Sequence, residues 1–512
     1  MIRRSLSGWL IAIILLAVTG CASVPFDYPK LGSYSQPPDP NAPAARAALD
    51  WESKHGELSG FIGLPHGIDA LGARLRMMEV AQHSIDAQYF ILKKDRAGAL
   101  FVGKMLLAAD RDVKVRLLID DVFTGGIDRQ LSLLNAHPNI EVRIFNPLSR
   151  DSLQYWAYLL DFGRANRRMH NKSFTVDSAL SIVGGRNIGE EYFALKQEVV
   201  FDDYEVLVMG PAVKDIGASF DQYWNSVLAV PVEAFGVKVD YEELDQWRET
   251  MRVRATESET GIYAQAVDSK LLQDIRDKRV VPVPAKGIVV SDSPDKLLHD
   301  VGDEEAAKLA VEKRDRFLEA DHEILVVTPY YIPGEGGIGF VKRLRDRGVR
   351  VVIVTNSLAS TNHVAVHGHY AKYRQRLLEA GAELYEVRAI LDLDETGWGH
   401  TPDRVTMHTK ATIVDRDTVF VGSLNFDPRS IFLNTEMGIF IESAELGGRF
   451  TERIMAVLPD VTYRVTLDDQ GDLLWTFDNG DEREVWHKEP QTGWGRRFKA
   501  GFYRILPIEQ QL

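Results

Sequence analysis

At 512 residues the chain is too long for one ordinary core, and a prior of about 150 residues per domain divides it into two to four units. Its 45% apolar and 26% charged content is that of a water-soluble globular protein. The net charge of −14 weighs against a dedicated nucleic-acid binder, because phosphate neutralisation needs a basic footprint, although a local basic cleft stays open.

The first predicted element is an export signal over residues 1–20: Arg3 and Arg4, the apolar run Trp9–Val18, then small residues before Cys21. That run is shorter than the roughly 20 residues needed to cross a bilayer. Val18-Thr19-Gly20-Cys21 resembles a bacterial lipobox, which implies that Cys21 is lipidated as the first residue of the mature chain. The alternative is an uncleaved N-terminal anchor. In both cases the body sits beside a membrane, beyond export and facing the periplasm. Ala22 after the cysteine, by resemblance to sorted lipoproteins, implies the outer membrane. With its one cysteine so used, the chain has no disulfide and stands on its own core. Residues 21–50, with Pro25, Pro29, Pro37, Pro38, Pro40 and Pro43, read as an extended tether.

Beyond the tether an internal repeat emerges. Ser84–Leu92 reads as a strand, and its counterpart is Glu323–Ile332. Each leads into a helical pattern, Leu100–Arg111 and Ile338–Gly348. A second pair of strands follows, Val113–Asp120 and Val349–Thr355, and then a third, Ile140–Phe145 and Ala382–Val387. Strands alternating with helices call for an α/β fold with the sheet covered on both faces. A unit that occurs twice predicts two lobes, residues 51–270 and 271–512, with the site at their interface.

Each half then carries one His-x-Lys-x4-Asp motif: His170, Lys172 and Asp177; His408, Lys410 and Asp415. On a strand, residues i and i+2 share a face, so each His projects with its Lys. A turn reverses the chain into a second strand that ends in Gly184-Gly185-Arg186-Asn187 or Gly422-Ser423-Leu424-Asn425. Glycine there lets the backbone approach a ligand, and Asn187 and Asn425 can donate to a phosphate oxygen. Two His, two Lys and two Asn around one pocket fit phosphodiester transfer. One neutral His attacks phosphorus. The other protonates the leaving alcohol and later takes a proton from the acceptor. Lys172 and Lys410 stabilise the equatorial charge, so that neither a metal nor another cofactor is required.

The two motifs resemble those of the phospholipase D superfamily, over about residues 60–512. The resemblance implies that superfamily's two-lobed, pseudo-symmetric α/β fold, each lobe a mixed β-sheet flanked by helices. It makes Asp177 and Asp415 mainly structural, and His170 the nucleophile with His408 as acid/base. It also implies an acidic residue downstream that holds each catalytic His: Glu436 in the second half, Asp203 or Glu205 in the first. Gly185 departs from the pattern, since many members have Ser there, as at Ser423. Further stretches are similar to bacterial cardiolipin synthases of the C type: Arg164–Lys172, Gly184–Gly189, Asp292–Lys296, Thr355–Leu358, Glu489-Pro490 and Leu506–Glu509. This similarity implies a membrane-tethered phosphatidyltransferase that forms cardiolipin from phosphatidylglycerol, with phosphatidylethanolamine as a candidate co-substrate and no nucleic-acid partner. The alternatives are a phospholipase D hydrolase and a nucleic-acid phosphodiesterase.

Other signals are weaker. His363, His367 and His369 could bind zinc but lack the Glu of a metalloprotease helix, and read better as a cleft lip with His367 or Tyr370 near a headgroup. Tyr155–Leu160 is either a core helix or a lipid-dipping surface. Arg164, Arg167 and Arg168 could hold an anionic headgroup. Trp398 and His400 mark a Gly-rich loop before the second motif, and Asp303-Glu304-Glu305 a solvated helix start.

Overall fold

The computed structural model describes residues 24–124, 126–150, 161–196, 199–257, 261–301, 303, 305–390 and 403–512. The export signal, Cys21, Tyr155–Leu160, Trp398, His400 and Glu304 lie outside them.

The first half contributes β1 (Ser59–Leu64), β2 (Ser84–Tyr89), β3 (Lys114–Asp120), β4 (Ile140–Phe145), β5 (Ser173–Val176), β6 (Leu180–Gly184), β7 (Val200–Asp202), β8 (Glu205–Met209) and β9 (Ala229–Pro231). The second contributes β10 (Val283–Ser291), β11 (Glu323–Val327), β12 (Arg350–Asn356), β13 (Glu383–Val387), β14 (Val405–Met407), β15 (Ala411–Val414), β16 (Thr418–Gly422), β17 (Met437–Glu442), β18 (Thr462–Leu467), β19 (Leu473–Asp478) and β20 (Arg483–Trp486). In space the first half runs β9-β4-β3-β2-β5-β6-β8-β1, and the second β10-β17-β16-β15-β11-β12-β13-β18-β19-β20. The two halves join where β1 pairs antiparallel with β10, Gly60 opposite Pro284. Outwards from that pair the order of strands is the same on both sides, with three parallel strands in each half, β2-β3-β4 and β11-β12-β13. The predicted α/β fold with a repeated mixed sheet is therefore present.

Val, Ile and Leu on both faces of these strands make the cores. Ile85, Leu117 and Val142 pack against Leu71, Leu75, Phe101 and Met105 of helices Gly67–Val80 and Arg96–Ala109. Ile324, Val351 and Leu384 pack against Val341 and Leu344 of the helix Gly334–Asp346. A third core lies between the halves and joins Val183, Val206 and Val208 to Val421, Ile439 and Ile441. Burial on both faces explains the near-continuous apolar runs that made these strands legible.

Two expected boundaries shift. The 270/271 division falls at the start of helix Lys270–Arg276, whose Leu271 and Leu272 pack on the first core, so that helix belongs with the first half. The Pro-rich stretch is not a free tether from residue 24 onward. Arg116 donates to the Ser33 carbonyl (3.0 Å), Arg143 to that of Leu31 (2.7 Å), and the Ser33 amide to Asn225 Oδ1 (3.1 Å). A helix follows over Pro43–His55. A segment poor in large apolar groups is held here through its backbone polar atoms instead.

Candidate active site

The motif histidines and lysines lie in extended chain immediately before β5 and β15, just outside the strands themselves. Two backbone crossings between halves fix them. The His170 amide donates to the Thr435 carbonyl (2.9 Å), and the Thr435 amide to that of Arg168 (3.0 Å). On the other side β14 runs parallel to β7, and the His408 amide donates to the Asp202 carbonyl (2.6 Å). Each histidine is thus strung beside the segment that carries the acid of the opposite half.

That crossing decides the acids. His170 Nδ1 lies 2.9 Å from Glu436 Oε2 and 3.1 Å from Oε1, and His408 Nδ1 lies 2.6 Å from Asp203 Oδ2. Glu436 serves the first-half histidine and Asp203 the second-half one, an exchange that the sequence could not reveal. Glu205, the other candidate, takes Arg74 bidentately (2.6 and 2.9 Å) and is unavailable. A carboxylate on Nδ1 fixes the tautomer that leaves Nε2 open to a substrate.

All four motif cations and imidazoles are buried. Burial first, and then the charges of Lys172 and Lys410, hold His170 well below its ordinary value. Burial and Lys410 lower His408 to about 3. Burial lowers Lys172 to about 7 and Lys410 to about 8. The field of each lysine therefore reaches the histidine of the other motif, as one shared site requires. Lys410 Nζ also lies 2.9 Å from His408 Nδ1. The carboxylates diverge: burial raises Glu436 to about 7, whereas for Asp203 Lys410, His408 and Arg186 together outweigh burial and hold it below the usual range.

Asp177 and Asp415 stand apart from the reaction centre. Asp177 accepts the amides of Gln82, His83 and Ser84 (2.7–3.2 Å), and Asp415 those of Asp321, His322 and Glu323 (2.7–2.8 Å). Each sits at positive φ (51° and 50°) in the turn after its motif strand and ties that turn to the start of β2 or β11.

The remaining expected residues part ways. Ser423 Oγ donates to Glu436 Oε2 and accepts from the Met437 amide (3.0 Å), so it braces the acid. Gly184 pairs with Glu205 across β6 and β8, where a Cβ would fall 2.5–2.8 Å from that residue. Asn187 spends both ends of its amide inside the protein, on the Ile91 amide and the Tyr192 hydroxyl. Asn425 reaches Ser430 Oγ at 3.4 Å and keeps a buried Oδ1 with no partner among the described residues. Arg168 is a correction: it is buried on Asp120 (2.9 and 3.1 Å) and on the carbonyls of Ala165, Phe145 and Asn146, which commits four of its five N–H donors inside the protein rather than to a headgroup. Arg164 and Arg167 likewise bond Asn146, Pro147 and His299. The cleft-lip reading also gives way, because Tyr370 is buried on Glu386 (3.1 Å), while His367 and His369 meet Glu489 (3.3 Å) and Glu509 (3.0 Å).

Several contributors were not singled out from the sequence as site residues. Phe90 stands edge-on to His170, and Phe201 stacks on His408 with Tyr192 at its edge. Asp292 and Lys296 form a buried ion pair (2.7 Å), and Asp292 accepts the Glu436 amide (3.1 Å). Their i, i+4 spacing was a readable hint.

The family model described as "Cardiolipin synthase, PLD-like domain" matches residues 75–224 and 314–457. Cardiolipin synthase C of Escherichia coli K12 is 36% identical over 91% of this chain and 98% of its own length. A cardiolipin synthase of Oceanobacillus iheyensis is 25% identical over 76% of this chain and 67% of its own length. Among solved structures, phosphatidylserine synthase of Haemophilus influenzae shares the fold, with a TM-score of 0.55 at 12% identity over 91% of this chain and all of that one.

Proposed function

Because the chain belongs to the cardiolipin synthase family with a phospholipase D-like domain, we propose that it is a phosphatidyltransferase that forms cardiolipin from phosphatidylglycerol. The observation that carries this reading is the crossed pair of clamps: each buried histidine has its Nδ1 on a carboxylate of the opposite half, with both lysines in the same field.

In the reaction, His170 Nε2 attacks the phosphorus of a phosphatidylglycerol. The bond to the headgroup oxygen breaks, and His408 gives that oxygen its proton, so that glycerol leaves and a phosphatidyl-histidine remains. The headgroup hydroxyl of a second phosphatidylglycerol then attacks phosphorus and returns its proton to His408. The P–N bond breaks and cardiolipin departs. With phosphatidylethanolamine as donor, ethanolamine leaves in place of glycerol. Lys172 and Lys410 supply positive charge to the equatorial oxygens, which fills the place of a metal, and the substrate's own negative charge favours their protonated forms. Glu436 and Asp203 orient the imidazoles and stabilise whichever is charged. Water in place of the acceptor gives phosphatidic acid as a side reaction. Lipidation at Cys21 holds the enzyme on its substrate membrane, at the periplasmic face of the outer membrane; among the described residues no helix is long and apolar enough to cross a membrane.

The test is to supply phosphatidylglycerol vesicles, with and without phosphatidylethanolamine, and identify products by mass spectrometry. Cardiolipin that disappears in both His170→Ala and His408→Ala is the expected result. Phosphatidic acid alone would make the protein a hydrolase, and cleavage of DNA without lipid turnover would overturn the lipid reading altogether.

A further inference from the structure

The C-terminal helix Trp494–Ile505 is built unlike the rest of the surface. Trp494, Phe498, Phe502 and Ile505 are 74%, 62%, 51% and 77% exposed. At 3.6 residues per turn these four lie within an arc of about 80°. Arg496, Ala500 and Tyr503 occupy the opposite side, and they face the protein: Ala500 is buried, and a Cβ on Gly368 would fall 2.5 Å from the Ala500 carbonyl. The cations Lys499 on one flank, and Arg497 and Arg504 on the other, border the aromatic arc. The helix holds four Lys and Arg and no acid, in a chain whose net charge is −14.

Its seat connects it to the reaction centre. Arg496 donates to the carbonyls of Leu358 (2.6 Å) and Thr361 (2.5 Å). Within the same loop the Ser360 carbonyl accepts from Thr406 Oγ1 (2.7 Å), and Asn356 bonds the Met407 carbonyl (2.7 Å) and amide (3.0 Å). Met407 precedes His408. Residues 356–361 thus bond both this helix and the strand that leads to His408.

We propose that this helix lies in the headgroup layer of an anionic lipid bilayer, with Trp494, Phe498, Phe502 and Ile505 at the headgroup ends of the acyl chains and Arg497, Lys499 and Arg504 on lipid phosphates. An exposed aromatic arc bordered by cations is the signature of an in-plane interfacial helix, and Trp favours that layer. A second copy of the chain fits less well, because apposing two such faces would bring six flanking cations together without an acid between them. The inference rests on the helix and not on the proposed reaction, and it assigns the surface by which the body of the enzyme meets its substrate membrane, independently of any anchor at Cys21.

The experiment uses the chain from residue 22 onward in every arm, so that neither lipidation at Cys21 nor the apolar run Trp9–Val18 contributes. Flotation with phosphatidylcholine vesicles is compared with phosphatidylcholine containing phosphatidylglycerol. The parent is expected to bind the anionic vesicles, with a blue shift of tryptophan fluorescence that Trp494→Phe removes. Phe498→Ser with Phe502→Ser should weaken binding at least about tenfold. Lys499→Glu with Arg504→Glu should abolish the preference for phosphatidylglycerol. All of these side chains are exposed, so melting temperatures should be unchanged, and turnover of a short-chain, monomeric phosphatidylglycerol should be kept while turnover in vesicles falls. Binding that is equal in all variants overturns the proposal, as does a parent dimer that the Phe substitutions dissolve. If the parent binds but no lipid is turned over, the failure lies with the proposed reaction and not with the helix.

Discussion

The two halves solve the same problem with different side chains. Gly185 and Ser423 occupy equivalent places at the ends of β6 and β16, and Asp203 and Glu436 equivalent places two residues before Glu205 and Gly438, which pair with Gly184 and Gly422. In the second half the longer acid is braced by Ser423 Oγ. In the first half the shorter acid lies against bare backbone, and a Cβ at Gly185 would fall 2.5 Å from Asp203 Oδ1. Glycine with aspartate and serine with glutamate are thus two fillings of one volume. The electrostatic outcome differs, since Asp203 is held ionised by Lys410, His408 and Arg186 while burial lifts Glu436 to about 7. At His408 the ionised Asp203 only partly offsets burial and Lys410, so in the proposed reaction the substrate's own negative charge must help to protonate this acid, whereas the weaker anion at Glu436 suits a His170 that acts neutral.

The largest expected effect tests that division of roles. Each of His170→Asn and His408→Asn should lower transfer by at least about a thousandfold. Given a substrate with a good leaving group, only His408→Asn should accumulate an acid-labile phosphorus adduct. An adduct in His170→Asn and none in His408→Asn would reverse the assignment.

The acids come next. Asp203→Asn and Glu436→Gln should each cost about 10²–10⁴ in kcat, by analogy with loss of the orienting carboxylate in a triad. Their effects on stability should carry opposite signs with pH. Glu436 binds its proton more tightly folded than unfolded, so its contribution declines as pH rises from about 4.5 to 7. Asp203 binds its proton less tightly when folded, so its contribution is present above the ordinary carboxylate range and is lost as pH falls through it. Denaturation midpoints measured from about pH 2 to 8 should therefore diverge between the two variants, and parallel curves would remove the electrostatic half of the comparison. The rate itself should be bell-shaped, with the basic limb of kcat/KM between pH 7 and 8, where Lys172 and Lys410 lose their charge in the free enzyme.

Smaller effects come from the fillings. Gly185→Ser should displace Asp203 and lower kcat by about tenfold or more, whereas Ser423→Gly removes one brace from Glu436 and should cost about 1–2 kcal/mol or less in transition-state stabilisation. Steady-state kinetics of the two variants side by side measure the difference. The smallest effect on chemistry is expected where the halves agree. Asp177→Ala and Asp415→Ala each remove an acceptor for three amides and should destabilise by about 1–3 kcal/mol with kcat nearly kept. A loss of kcat as large as that of a histidine variant would place these aspartates in the reaction after all.

Much of this arrangement was legible in the chain. The buried strands announced themselves because both faces are covered, so β2–β4 and β11–β13 read as apolar runs, and the repeat of His, Lys and Asp at one spacing marked both halves. Arg168 misled because a sequence shows charge and not burial: beside a motif histidine it looks like a headgroup ligand, yet most of its donors are committed to Asp120 and three carbonyls. The Pro-rich leader misled for the converse reason, since its attachment is made in part by backbone atoms that every sequence possesses. Sequence by itself determined the chemistry available, namely two histidines and two lysines in matched settings with one acid downstream of each. Tertiary structure alone decided the pairing. Which carboxylate meets which histidine depends on a strand crossing between halves more than two hundred residues apart, and no local pattern encodes a contact whose two partners belong to different repeats.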